Sequence, residues 1–254
     1  VFDGREKTLT NKEFYDRMRA GQGTKTAAPN INDIEEEFEK ALSAGKDVLF
    51  TCLSSGISST INNAFICREE MQEKYPDADI CVFDSICACG GHGMLIYHAI
   101  ENKKKGMSAK ENMQALEALK HHIVHKFTVD DLTYLQRGGR ISKTAAMIGG
   151  MIQLKPVLHV DIEGRLAAES KVRGRKKALN QLVSEMENCV GSYADKQDMV
   201  LICHADCLED AEYVQAKVEE KFHPDKIIIS EVGPIIGAHV GPGTMTLFFL
   251  GDKR

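Results

Sequence analysis

The sequence predicts an α/β fold in two domains. An N-terminal parallel-sheet domain is expected over residues 1–125. A C-terminal domain over residues 126–254 is expected to carry a mixed six-stranded sheet with helices on one face. Three observations carry this. In the first half, short apolar runs alternate with amphipathic helical stretches, the pattern of a parallel sheet. In the second half, six strand-like runs share only two long helical stretches. With 254 residues and 43% hydrophobic content, the chain can bury two cores.

The elements follow in order. "LTNKEFYDRMRAG" reads as a helix with Thr10 as N-cap, Glu13 completing a capping box and Gly21 at the stop. "NINDIEEEFEKALSAG" repeats that logic, with Asn32 as cap, Ile34, Phe38, Ala41 and Leu42 as the apolar stripe, and Gly45 at the end. "DVLFTC" is a strand, "SSGISST" a turn, and "TINNAFICREEMQEKY" the helix after it. "ADICVFDS" is the next strand. "CACGGHGMLIYHAIENKKKG" is a Gly-rich turn and then a helix. Ser108 and Glu111 open a helix expected to run through His125. Beyond it, "KFTV", "KPVLHVD", "RLAAESKV", "DMVLICHA", "DKIIISEV" and "TMTLFFLG" are strands, and the glycine of "HVDIEGRL" predicts a hairpin.

Formal net charge is −5, so no global basic excess points to nucleic acid. No apolar run approaches the roughly 20 residues of a membrane span, and none reads as a secretory leader. Several of the eight cysteines sit inside apolar strand-like runs, as in "ICVFD" and "VLICH". Reduced cysteine behaves there as a small hydrophobe. A reducing, cytoplasmic setting is expected. Cys87-x-Cys89 and Cys203-His204-x-x-Cys207 lack paired C-x-x-C spacing. His121 and His125 share one face of the expected helix but have no HExxH pattern. No metal and no cofactor are expected.

Four stretches bear chemistry. "SSGISST" (Ser54–Thr60) ends a strand and opens a helix, where free N–H groups and the helix dipole favour an anion. Gly56, Ile57 and Ser58 match part of a nucleophile elbow, but Thr60 stands where its second glycine belongs, and no Gly-Lys-Ser/Thr phosphate loop is present. A Ser-rich cap and an anion cradle both remain open for this turn. Asp84-Ser85 ends the neighbouring strand, as a ligand contact or as an Asx turn. "RGGR" places Arg137 and Arg140 around two glycines, and "SKVRGRKKAL" adds Arg173 and Arg175. Guanidinium groups suit carboxylate or phosphate. "GPIIGAHVGPGT" reads as a Gly-rich loop holding His239, either structural or an anion donor. Met147, Ile148, Met151 and Ile152 are ordinary core or the wall of an apolar tunnel.

As a set, these motifs resemble the DegV family of bacterial fatty-acid-binding proteins. The family shows T-S-Q-P, S-S-G-L-S-G-T, Asp-Ser, L-x-x-G-G-R-I-S, L-K-P-I-L, K-V-R-G/T and G-A-H-x-G-P-G in that order. Here they stand as "TAAP" (Thr26–Pro29), "SSGISST", Asp84-Ser85, "LQRGGRIS" (Leu135–Ser142), "LKPVL" (Leu154–Leu158), "KVRG" (Lys171–Gly174) and "GAHVGPG" (Gly237–Gly243). Ala27 and Ala28 depart from the first motif and Ser59 from the second. The resemblance also implies a first strand upstream of Val1.

The resemblance implies one long-chain fatty acid in a buried tunnel between the domains. Its carboxylate would lie near Thr26, Ser55, Ser58 and His239. Arg137, Arg140 and Arg173 would face the phosphate or a partner, and Ile57, Met147, Ile148, Met151 and Ile152 would be tunnel candidates. It further implies a non-enzymatic carrier that presents the acid to a separate fatty-acid kinase for acyl-phosphate formation. Two other readings compete. One is a serine hydrolase with Ser58 as nucleophile, His239 as base and Asp206 as acid. The other is a nucleic-acid-binding regulator using Arg173–Lys177.

Overall fold

The computed structural model describes residues 9–142 and 154–254. It is a mixed α/β fold with two sheets. The first is a parallel pair, β1 (Val48–Cys52) and β2 (Ile80–Asp84). α2 (Ile31–Leu42) and α3 (Thr60–Lys74) close over this pair, and Phe38, Ile61, Met71 and Val82 form its buried core. α5 (Ala109–Leu119) also packs on both strands.

The second sheet has six strands. β3 (Ile123–Thr128), β4 (Leu154–Val160), β5 (Leu166–Arg173), β6 (Val200–His204), β7 (Ile227–Glu231) and β8 (Met245–Leu250) lie in the order β5-β4-β3-β8-β6-β7. β6 and β7 are parallel, and every other neighbour is antiparallel. All six expected strands and the β4–β5 hairpin are present.

Caps explain several helix starts. In α1 (Asn11–Arg19), Thr10 and Glu13 form the expected capping box, and in α5 Ser108 and Glu111 form another. Gly21 and Gly45 adopt positive φ just past α1 and α2. α2 is capped by Asn30, whose side chain accepts from the Asp33 amide at 2.9 Å, and not by Asn32. Asn32 therefore lies inside the first turn.

Three expectations are corrected. First, the helix expected through His125 stops at Leu119. One 3-10 turn follows, and Ile123 begins β3. Ile123, Val124 and His125 pair with Leu250, Phe249 and Phe248 of β8, so sheet pairing outweighs the helical pattern. His121 and His125 therefore do not share a helix face. Second, both faces of the large sheet are covered. Val200, Ile202, Leu247 and Phe249 pack towards α7 (Arg175–Cys189) and α8 (Leu208–Phe222). Leu201, Cys203 and Phe248 pack on the other side, against α4 (Cys89–Lys104) from the first half of the chain. Third, α4 begins at Cys89, so the expected Gly-rich turn lies inside the helix. A Cβ on Gly90 would sit 2.6 Å from the Phe248 ring, and one on Gly91 would sit 2.1 Å from His125 Nε2. The missing side chains let the helix meet the sheet.

An ion pair joins a buried lysine of β3 to a solvent-facing carboxylate of β5. Lys126, 1% exposed, donates to both carboxylate oxygens of Glu169 at 2.8 and 2.9 Å. Glu169 sits where a register irregularity breaks the β4–β5 pairing. Glu169→Ala is expected to cost about 3 kcal/mol, because it leaves the buried Lys126 ammonium without its anion. The Lys126→Met, Glu169→Leu double variant is expected to recover most of that loss in urea unfolding. Equal destabilisation of single and double variants would contradict the reading.

Histidines make the fold acid-sensitive. His125 accepts from the Ala88 amide at Nε2 (3.1 Å) and donates from Nδ1 to the Ile123 carbonyl (3.0 Å). Only the neutral ring satisfies both. Burial pushes His125 well below the ordinary histidine range, and burial pushes His92 down to about 4. Between pH 6.5 and about 4 the unfolded chain binds protons at these sites that the folded chain does not. Stability is therefore complete above pH 6.5 and falls as pH falls, by about 1 kcal/mol per pH unit for each histidine. The urea midpoint at pH 5.5 should lie below that at pH 7.5, and equal midpoints would refute this.

Candidate functional site

The site forms where the chain ends of several elements meet. α9 (Pro234–Val240) follows β7, with Pro234 at its first turn. The segment expected as a Gly-rich loop is thus half helix, and His239 lies in that helix. α1 packs on α9, and a Cβ on Gly237 would strike the Tyr15 hydroxyl at 2.5 Å. Tyr15 donates to the Val232 carbonyl at 2.6 Å, which fixes the start of α9. The loop after α1 then runs along this helix. Thr24 donates to the Ala238 carbonyl at 3.3 Å, and Thr26 Oγ1 lies 2.6 Å from His239 Nε2. The Asn63 side-chain amide holds the far end of the loop at the Pro29 carbonyl, at 2.8 Å.

His239 has one satisfied nitrogen. Its Nδ1 is buried without a hydrogen-bond partner. It lies against Gly138, where a Cβ would approach to 2.4 Å. Burial first, and the Arg140 cation second, hold His239 below the ordinary histidine range. The ring is therefore neutral at pH 7. An orphaned buried N–H costs more than an orphaned lone pair, so the ring proton belongs on Nε2. Nε2–H then donates to Thr26 Oγ1. The Thr26 hydroxyl proton is left for an acceptor, on an exposed residue.

Arg140 links this pair to the serine turn. It follows α6 (Thr133–Arg137) and Gly139, whose φ is +71°. Its Nε donates to the Ile57 carbonyl at 3.1 Å, and Nη1 donates to the Gly138 carbonyl. Thr26, His239, Gly138, Arg140 and Ile57 thus form one connected set. Gly138 escapes sequence reasoning, although the doubled glycine of "RGGR" is its signal.

The turn at Ser54–Thr60 differs from expectation. Four of its backbone amides are bonded to Ser54 and Asp84. The Ser55 amide donates to Asp84 Oδ1 (3.1 Å), the Gly56 amide to Ser54 Oγ (3.0 Å), and the Ile57 and Ser58 amides to the Ser54 carbonyl (3.1 and 3.0 Å). The Ser58 hydroxyl lies 2.9 Å from Thr60 Oγ1, and Ser55 is exposed. Asp84 also accepts from the Ile86 amide at 3.1 Å, which is the Asx-turn reading of that residue. The β4–β5 turn presses on this loop, since a Cβ on Gly56 would meet the Gly164 carbonyl at 2.8 Å.

Two further arginines sit at the ends of elements. Arg137 is exposed at the end of α6, and Arg173 is exposed at the end of β5. The Arg173–Lys177 patch is weaker than expected, because Arg175 pairs with Asp210 at 2.7 Å and Asp130 at 3.5 Å. Met147, Ile148, Met151 and Ile152 lie outside the described residues. The hydrolase constellation is not assembled: His239 meets Thr26, Ser58 meets Thr60, and Asp206 pairs with Arg19 at 2.5 Å. Among the described residues, no group of three or more His, Cys, Asp or Glu side chains could hold a metal ion. No described helix is long and apolar enough to cross a membrane.

A family model described as "Uncharacterised protein, DegV family" matches residues 2–252. The chain belongs to the DegV family. A DegV domain-containing protein of Clostridium perfringens is 41% identical over 252 residues, covering 99% of this chain and 86% of that protein. A fatty-acid-binding DegV family protein from Thermus thermophilus has 26% identity and a TM-score of 0.84, over 96% of this chain and 85% of that one. The Streptococcus pneumoniae Fatty Acid Kinase (Fak) B3 protein, loaded with linoleic acid, has 21% identity and a TM-score of 0.87, over 97% and 85%. That last likeness is one of fold. The two-sheet DegV architecture is therefore shared across these proteins.

Proposed function

We propose that this DegV protein binds one long-chain fatty acid and presents its carboxylate to a separate fatty-acid kinase. It acts as a cytoplasmic carrier and not as an enzyme. The observation that carries the reading is the Thr26–His239 pair at 2.6 Å, with one hydroxyl proton left for an acceptor. The Thermus thermophilus relative binds fatty acid on the same fold. Thr26, oriented by His239, holds the carboxylate, with the hydroxyls of Ser55 and Ser58 flanking it. Arg140 sets the positive potential behind the pair. Arg137 and Arg173 face the phosphate or the kinase. The acyl chain runs between the halves 1–125 and 126–254, past Ile57.

The energetics are consistent. A carboxylate stripped of water needs hydrogen bonds in return. A chain of about sixteen carbons, at about 0.8 kcal/mol per buried CH₂, supplies about 12 kcal/mol gross. That is of the same order as the cost of immobilising a ligand, about 4–15 kcal/mol. The exposed Thr26 keeps the carboxylate near the surface, where a second enzyme could reach it. The kinase role is supported by the fold shared with the Fak B3 protein.

Organic extraction of the purified protein, followed by mass spectrometry, tests the binding. A stoichiometric long-chain fatty acid is expected. A folded, empty protein that also takes up no added fatty acid would sink the proposal.

A further inference from the structure

The chain beyond β8 reaches back into the first half. The Gly251 amide donates to the His122 carbonyl at 2.9 Å, and Asp252 accepts from the Ser192 amide at 2.6 Å. Arg254 is thereby aimed at the loop between β2 and α4. Its Nη1 donates to the Lys120 carbonyl at 2.9 Å. Its Nη2 donates to the Ile86 carbonyl and lies 3.8 Å from the buried Cys87 sulfur.

Ile86 is strained. It is β-branched, yet its φ is +46°. The left-handed region is an outlier for a branched side chain, and such a residue persists only where its surroundings fix it. Three contacts do so here. Asp84 Oδ1 accepts from the Ile86 amide at 3.1 Å, Arg254 holds the Ile86 carbonyl, and a Cβ on Gly164 would stand 3.1 Å from the Ile86 Cα. The strained residue adjoins the serine turn. The Cys87 carbonyl, next along the chain, accepts from the Ser54 amide at 2.8 Å, and Asp84 Oδ1 also accepts from the Ser55 amide at 3.1 Å.

We propose, on the fatty-acid reading of the site, that Arg254 is a positioning residue for the ligand headgroup. Its guanidinium fork holds Ile86 in the left-handed conformation, and Ile86, through Asp84 and Cys87, sets the turn where Ser55 and Ser58 meet the carboxylate. The fork suits this task, because two of its nitrogens hold two carbonyls at once in a fixed plane. Without it, Ile86 relaxes to negative φ and the peptide after it turns. The Cys87 carbonyl then swings away from the Ser54 amide. The Ile57 and Ser58 amides stay bonded to the Ser54 carbonyl, so the turn shifts as a unit and carries its hydroxyls with it.

The test uses the full chain and displacement of a fluorescent fatty-acid analogue by palmitate and by methyl palmitate. Arg254→Met keeps the stem and removes the fork. Palmitate affinity should fall roughly tenfold in that variant, while methyl palmitate affinity stays within about twofold. A merely structural loss would weaken acid and ester alike, and that result would overturn the proposal. Glycine holds φ +46° without strain, so Ile86→Gly should restore most of the palmitate affinity of Arg254→Met. The same loss on the Ile86 and Gly backgrounds would also overturn it. Arg254→Lys keeps the charge but cannot bridge two carbonyls, so it should lose part of the palmitate affinity. Full palmitate affinity in Arg254→Lys would overturn the proposal even where Arg254→Met does not fold. Equal binding of acid and ester by the unaltered protein would overturn the fatty-acid reading and this inference with it. A headgroup preference that survives unchanged in Arg254→Met would overturn this inference alone.

Discussion

His239→Ala is expected to weaken fatty-acid binding by roughly ten- to a hundredfold while leaving the fold in place. The ring holds Thr26 at 2.6 Å and orients its hydroxyl outward. Removing the ring frees that hydroxyl to rotate, so the carboxylate loses an oriented donor. Hydrogen bonds to charged groups contribute about 1.5–3 kcal/mol, and each 1.4 kcal/mol is about tenfold in affinity. The apolar contribution of the acyl chain is untouched, so residual binding should remain. Stability should change little, because His239 is only half-buried and already leaves Nδ1 without a partner. Thr26→Val should weaken binding similarly, and Thr26→Ser should largely preserve it. Displacement of a fluorescent fatty-acid analogue measures all three. Unchanged affinity in both His239→Ala and Thr26→Val would remove these residues from the site.

Gly91→Ala is expected to destabilise the protein by about 2 kcal/mol, against the direction that helix propensity predicts. Inside a helix, alanine is favoured over glycine by about 1 kcal/mol. At Gly91, however, the new methyl would lie 2.1 Å from His125 Nε2. That imidazole is pinned at both nitrogens, so moving it orphans the Ala88 amide. Overpacking and a lost buried hydrogen bond together cost about 3 kcal/mol, which outweighs the propensity gain. Gly93→Ala is the matched control. Its methyl would meet Leu201 at 3.5 Å, an ordinary contact. It should be neutral or stabilising by up to about 1 kcal/mol. Urea unfolding of the pair separates packing from propensity. Equal midpoints for the two variants would contradict this account of the α4–sheet seam.

These glycines also mark where sequence reasoning stops. Local rules read the capping boxes at Thr10 and Ser108 correctly, because both partners lie three residues apart. Alternation and turn chemistry found all six strands of the large sheet and the Gly164 hairpin. Apart from the Asn32 cap, which is a local misreading, the errors share one cause, which is tertiary contact. Ile123 to His125 look helical until β8 pairs with them. Gly90 and Gly91 look like a turn until Phe248 and His125 are placed beside them. The second face of the large sheet is covered by a helix from the other half, which no local pattern reveals.

The site shows the same division. Thr26 and His239 are separated by 213 positions in the chain, yet motif order singled out both, and the fold joins them. The internal use of the Ser55, Gly56, Ile57 and Ser58 amides was not legible. Only the placement of the Asp84 carboxylate and of the Ser54 hydroxyl and carbonyl shows that those donors are taken. Arg175 likewise appears as a free cation in sequence and as a partner of Asp210 and Asp130 in the fold.

The central claim is that a fatty acid is held by its carboxylate at Thr26 and His239. Calorimetric titration of the lipid-free protein with palmitate and with methyl palmitate tests it most directly. The chains are identical, so the apolar contribution cancels and the headgroup decides. The account predicts that the acid binds at least about tenfold more tightly than the ester, since a neutral ester forfeits the charge-assisted bond. It also predicts that the difference collapses in Thr26→Val, His239→Ala. Equal affinity of acid and ester for the unaltered protein would contradict it.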